Sequence, residues 1–215
     1  LLLKNAVDKF HIHYEKNRLW ENTRWLGVPI WKLPFDAFVI QDLIYKIRPN
    51  IIIEAGTGKG GSSVFYASIQ KLLDIKDRNV ITIDIKDNMF VADYLNLNIV
   101  PLKGSSLNPD ILKFVDLYAL PELTTMVILD SWHSYDHVLE EMKIYSNYVS
   151  VGSYMIVEDS HVSGHPIKWE WGDEGPYEAI EDFIKNNNNF TIDKSCEKFI
   201  MTFNPSGYLL KTGDR

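Results

Sequence analysis

The sequence predicts an α/β fold with a mostly parallel sheet. Three observations carry this. From about residue 35, short β-branched apolar runs alternate with segments of helical period. The first run leads straight into a glycine-rich string that opens a helix. Each strand candidate also ends on a polar residue or glycine, as buried parallel strands do at a ligand-binding sheet edge.

Helical periodicity over Phe38, Leu43, Ile44 and Ile47 ends at Pro49. Strands are expected at Ile51 to Glu54, Val80 to Ile85, Ile99 to Leu102, Met126 to Asp130 and Tyr154 to Glu158. Helices are expected at Ser62 to Leu73, Asp110 to Tyr118 and Tyr135 to Tyr148, with another at Pro176 to Lys185 that carries Pro in its first turn. Phe190 to Asp193 and Phe199 to Phe203, continuing to Leu210, are suited to pair as a closing hairpin. Residues 1–34 are rich in aromatics and hold two prolines, so they read as an arm or lid with little regular structure ahead of a single domain at 35–215. There are no repeats, and the Asn186 to Asn189 run suits a helix-to-strand turn.

Composition narrows the class. With 29 acidic against 22 basic side chains the chain lacks the cationic excess that a nucleic-acid backbone demands. The single cysteine, Cys196, allows no intrachain disulfide, which makes a reducing compartment, the cytoplasm, the default expectation. Leu1-Leu2-Leu3 is interrupted at once by Lys4 and Asn5, and no apolar run approaches the ~20 residues of a membrane span, so no membrane role is expected.

The string Glu54, Ala55, Gly56, Thr57, Gly58, Lys59, Gly60, Gly61, Ser62 follows a strand and opens a helix. Glycines there permit close backbone approach to a ligand, and the helix start offers free N–H groups. Asp84, ending the next strand, is placed to take ribose hydroxyls. Taken alone the loop fits NAD as well as S-adenosylmethionine (SAM), and a ligand-free tight turn is its bland alternative. The carboxylates decide between the cofactors. Glu54, Asp84, Asp130, Glu158 and Asp159 crowd one sheet edge, which would repel a pyrophosphate and suits the sulfonium and ammonium of SAM.

Asp130 ends one strand and Glu158-Asp159 the next, so three carboxylates converge if those strands are neighbours. A hard divalent cation, Mg²⁺ first, relieves their repulsion, although an acid at such a turn can also simply cap the following helix. His133, three residues beyond Asp130, is the preferred general base, with His161 and His165 as rivals. Trp132 and the Gly104-Ser105 pair are candidates for the adenine, though a lone Trp is more often packing.

Several strings together resemble the cephalosporin hydroxylase and rhamnosyl O-methyltransferase family, whose relatives include metal-dependent sugar O-methyltransferases of macrolides. They are Trp25-Leu-Gly-Val-Pro-Ile-Trp31-Lys, the Glu54 glycine string, Leu-Asp130-Ser-Trp-His-Ser-Tyr, Ser150-Val-Gly-Ser-Tyr-Met-Ile-Val-Glu-Asp159 and Gly164-His-Pro. The resemblance implies a Rossmann-like class I methyltransferase with a seven-stranded sheet, an antiparallel C-terminal hairpin and helices on both faces. It further implies SAM at the glycine loop, Mg²⁺ at Asp130, Glu158 and Asp159, and a histidine base at His133. Homo-oligomers and a small-molecule hydroxyl acceptor, foremost a sugar, are implied as well. A hydroxylase and an inactive SAM-binding partner subunit are the alternatives. The aromatic arm and the segment His165 to Gly175, with Trp169 and Trp171, are the expected mobile covers.

Overall fold

The computed structural model describes residues 2–87, 94–168 and 174–213. Its main sheet has seven strands in the order β5-β4-β3-β6-β7-β9-β8. These are β3 (Ile51–Ala55), β4 (Asn79–Asp84), β5 (Ile99–Lys103), β6 (Thr125–Leu129), β7 (Tyr154–Val157), β8 (Phe190–Ile192) and β9 (Tyr208–Lys211). The first five run parallel, while β9 pairs antiparallel with both β7 and β8. The expected class I methyltransferase sheet is therefore present.

The central parallel strands β3, β6 and β7 are buried on both faces, which is why they read as continuous apolar runs. One core packs α2 (Pro34–Ile47) and α3 (Gly61–Leu72) on Ile52, Met126 and Ile156. The other packs α4 (Pro109–Asp116), α5 (Tyr135–Tyr145) and α6 (Pro176–Asn186) on Ile53, Val127 and Val157. Successive residues of one strand point to opposite faces, so a single apolar run feeds both layers. Pro34, Pro109 and Pro176 each stand in the first turn of their helix, where the lost N–H costs nothing.

Two expectations need correction. Phe199 to Phe203 is not strand; the closing strand begins at Tyr208 and inserts between β7 and β8. The chain instead turns around Asp36, whose buried carboxylate accepts from the Phe203 N–H at 2.8 Å, the Tyr208 hydroxyl at 2.9 Å and the Thr202 hydroxyl. The arm, moreover, is more regular than its composition suggests. It contains α1 (Leu2–Lys16), a 3-10 turn over Leu19–Asn22 and a two-residue hairpin of β1 (Arg24–Trp25) with β2 (Val28–Pro29). The aromatic content masks a helix that buries His11 and packs Tyr14 edge-on to Phe203. Of the expected second cover, 169–173 lies outside the described residues.

Burial pushes the Asp36 carboxyl up to about 6, against the pull of its three donors. A raised native pKa stabilises most at low pH, and that contribution disappears as pH rises through about 6. Asp36→Asn should cost about 1–3 kcal/mol through a donor left unpaired. Urea denaturation checks this, and the cost should be largest near pH 4 and shrink toward pH 7.

Candidate active site

The described residues hold a cavity of about 820 Å³ at the C-terminal ends of the parallel strands, where open α/β sheets bind ligands. Its lining falls into two halves. One is the glycine loop with Asp84, Gly104, Ser105 and Trp132; the other comprises Glu15, Trp20 and Trp31 from the arm, His161 from the turn after β7 and Phe203 from the segment before β9. Asp130, His133 and Asp159 lie in the lining too.

The loop approaches its surroundings closely. Gly56 has φ +98°, and a Cβ there would meet the Asp130 carbonyl oxygen at 1.8 Å, so no side chain fits. Gly61 faces the Pro29 carbonyl oxygen, 2.2 Å from where a Cβ would stand, which seats the arm directly on the helix start. Asp84 accepts from the Gly58 N–H at 3.0 Å and the Lys86 N–H at 2.8 Å, tying the loop to the end of β4. Thr57 exchanges a hydrogen bond with Thr82 at 2.7 Å. Glu54 differs from the expectation. It is fully buried beneath the loop and absent from the cavity wall, accepting from Thr82 at 2.6 Å and from Ser63, so it supports the loop from below. Gly60, with φ +78°, shapes the turn from outside the lining.

The strand register explains the acid cluster. Leu129 pairs with Val157 across β6 and β7, so the next residues, Asp130 and Glu158, emerge side by side. Asp159 follows with φ +56°, a strained conformation for a residue with a side chain, and its N–H is held by Asn204 at 3.0 Å. Asp130, His133 and Asp159 offer ligand atoms within 4.8 Å of one another. His133 Nε2 lies 3.4 Å from Asp159 Oδ2 and 3.9 Å from Asp130 Oδ1. Glu158 sits behind this group, off the cavity wall. One of its oxygens pairs with Lys32, and the other, Oε1, is buried without a partner among the described residues.

Lys32 is a site residue that sequence reasoning missed. It is 2% exposed, and its Nζ lies 3.0 Å from Asp130 Oδ2 and in contact with Glu158 Oε2. Burial opposes the ammonium charge, yet Asp130 and Glu158 outweigh it and hold the group well above the usual lysine range. A lone Lys between Trp31 and Leu33 has no spacing that announces such a role. Burial likewise pushes Asp159 up to about 7, against the favourable field of His133. His161 is driven down to about 3, chiefly by burial; its Nδ1 lies 3.1 Å from the Phe203 carbonyl oxygen and its ring stacks on Phe203 at 4.2 Å. His165 pairs instead with Glu178 at 2.6 Å. Sequence reasoning also missed the buried Glu141, which accepts from Ser131 at 2.7 Å and from Ser106 beside His137.

The acids suit a hard cation: the Asp130 and Asp159 carboxylates converge beside His133, a third carboxylate stands behind with an oxygen left unpartnered among the described residues, and the cradle at Gly56 admits only bare backbone.

Residues 17–212 match the model of the family described as Rhamnosyl O-methyltransferase/CmcI. Rhamnosyl O-methyltransferases of Mycobacterium tuberculosis and Mycobacterium bovis are 33% identical over 210 residues, covering 96% of this chain and 85% of theirs. Among solved structures, CmcI with Mg and SAM superposes with a TM-score of 0.66 at 20% identity, over 90% of this chain and 78% of that one. TomG of Streptomyces achromogenes with SAM gives 0.58 at 15% identity over 98% and 90%.

Removing one member of a buried ion pair strands the other. Lys32→Met should therefore cost about 3–5 kcal/mol in chemical denaturation. The double variant Lys32→Met with Glu158→Leu should recover part of the loss, because it removes the orphaned charge as well.

Proposed function

The chain belongs to the Rhamnosyl O-methyltransferase/CmcI family and is an O-methyltransferase; from that premise we propose that it moves the methyl group of SAM to a sugar hydroxyl, with a divalent cation, Mg²⁺ first, at the site. The observation that carries this reading is the convergence, in one cavity, of a glycine loop, a ribose-type carboxylate and the Asp130, His133 and Asp159 group.

SAM would lie along Gly56, Thr57, Gly58 and Ser62, with Asp84 toward its ribose and Gly104, Ser105 and Trp132 toward its adenine. Trp132 is 61% exposed, so its face remains available to a ligand. Asp130 and Asp159 would hold the cation, with Glu158 adding its charge from behind. When bound, SAM supplies an electrophilic methyl, and the cation acidifies the acceptor hydroxyl and offsets the oxyanion charge.

The chain's own residues do the rest. His133 removes the hydroxyl proton, and Asp159, 3.4 Å from its Nε2, stabilises the imidazolium that results. Burial of the acids and the arm above them keeps bulk water from competing for that proton. Residues 1–34 act here as the cover of the acceptor side, seated against the glycine loop at Gly61.

Calorimetry should give heat for SAM or its demethylated product and none for NAD. Tight NAD binding without SAM heat would reject the cofactor assignment. Exhaustive chelation should stop turnover of a rhamnoside while leaving SAM bound, and Asp159→Asn should behave alike; full activity with no metal present would return the acids to a purely structural part. His133→Ala should lower kcat by about 10²–10⁴ with SAM affinity near wild type. Retention of a third or more of kcat would move the base elsewhere.

A further inference from the structure

The proposed chemistry leaves the arm half of the cavity unused. Glu15, on α1, is half-buried in the cavity wall beside Trp20, within electrostatic reach of Asp159. Trp20 and Trp31 stand edge to face, with ring centroids 5.5 Å apart at 80°. The floor is His161 stacked on Phe203. An acceptor-only carboxylate beside indole faces suits one chemistry well: a pyranose, with an apolar C–H face and an edge of vicinal hydroxyls.

Resting on the sugar-methylation reading, we propose that this half of the cavity is a pyranose subsite in which Glu15 accepts hydrogen bonds from hydroxyls of the acceptor other than the one methylated and Trp20 packs on its C–H face. The arm thereby selects the acceptor while the sheet edge performs the chemistry. Glu15 accepts and carries no donor, so its end of the subsite prefers a neutral polyol to a sugar acid or phosphate. A negatively charged acceptor would place its charge beside Glu15, Asp130 and Asp159.

The test uses the intact chain with Mg²⁺ and S-adenosylhomocysteine and titrates methyl α-L-rhamnopyranoside, followed by saturation-transfer NMR and calorimetry. Methyl-transfer kinetics with SAM run in parallel. Glu15→Gln, which keeps size and removes the charge, should weaken the rhamnoside about tenfold or more, the scale of a hydrogen bond to a charged group. Its affinities for S-adenosylhomocysteine and for Mn²⁺, read by electron paramagnetic resonance, should stay within twofold. Trp20→Ala should weaken the rhamnoside comparably and Trp20→Phe should restore most of the loss, which separates stacking from a general disturbance of the arm. Rhamnoside affinity unchanged in Glu15→Gln overturns the subsite while leaving sugar methylation standing. A parallel loss of Mn²⁺ or S-adenosylhomocysteine affinity also overturns it, by making Glu15 part of the metal or cofactor site. A wild-type protein that methylates a catechol and neither binds nor methylates any glycoside rejects the sugar reading itself, and the subsite with it.

Discussion

Everything near the site depends on one electrostatic constraint: neighbouring parallel strands deliver Asp130 and Glu158 side by side, with Asp159 next in the chain. Carboxylates taken out of water at that spacing repel each other, and burial without a counter-charge costs several kcal/mol per ion. The protein meets this with Lys32, which reaches from the arm to contact both carboxylates. One ammonium cannot balance three acids. The remaining negative charge faces the cavity, where a divalent cation and a sulfonium cofactor would be drawn.

That arrangement makes the arm part of the enzyme's core. Lys32 stands between the two-stranded hairpin and α2, so pairing it with β6 and β7 fixes the path of the chain across the glycine loop. The Pro29 carbonyl lies against Gly61, and Trp31 lies 3.6 Å from the position of a Gly58 Cβ. The first contact needs glycine beneath it, while the second is of ordinary contact length. Glycines that the sequence pattern assigns to cofactor approach therefore also serve close packing of backbone on backbone, and the two uses agree because both require a bare loop.

Most of the sheet was legible from the chain because buried parallel strands are written as apolar runs with polar ends, and the helices between them carry a clear period. The register that sets Asp130 beside Glu158 followed from assuming adjacent strands, and Asp130, His133 and Asp159 do converge. Other features were not legible for local reasons. Asp36 redirects Phe199 to Phe203 through hydrogen bonds spanning more than 160 positions, and no window of sequence reports such a partner. α1 was hidden because its composition, with His11, His13, Tyr14 and Phe10, is weakly helical, and its place is settled by packing on Phe203. Glu54 sits at the end of a strand like the other acids, yet Ser63 and Thr82 below the loop claim it. Position on a strand end predicts which edge a carboxylate reaches; the hydroxyls waiting beneath decide whether it stays exposed.

The same logic divides the cavity into regions of different polarity. On the cofactor side the acids are engaged by hydrogen bonds: Asp84 accepts from two backbone N–H groups, and Glu54 is sunk below. In the middle the acids are left for a cation. On the arm side the acceptor Glu15 is set among rings, beside Trp20 and with His161 stacked on Phe203. A ligand crossing the cavity would pass from backbone donors to concentrated negative charge to aromatic faces, in the order of a nucleoside, a cation with its reacting hydroxyl, and a neutral polyol. The chain's net charge of −7 is consistent with this gradient and does not create it. The gradient follows from which acids the fold pairs internally and which it leaves facing the cavity.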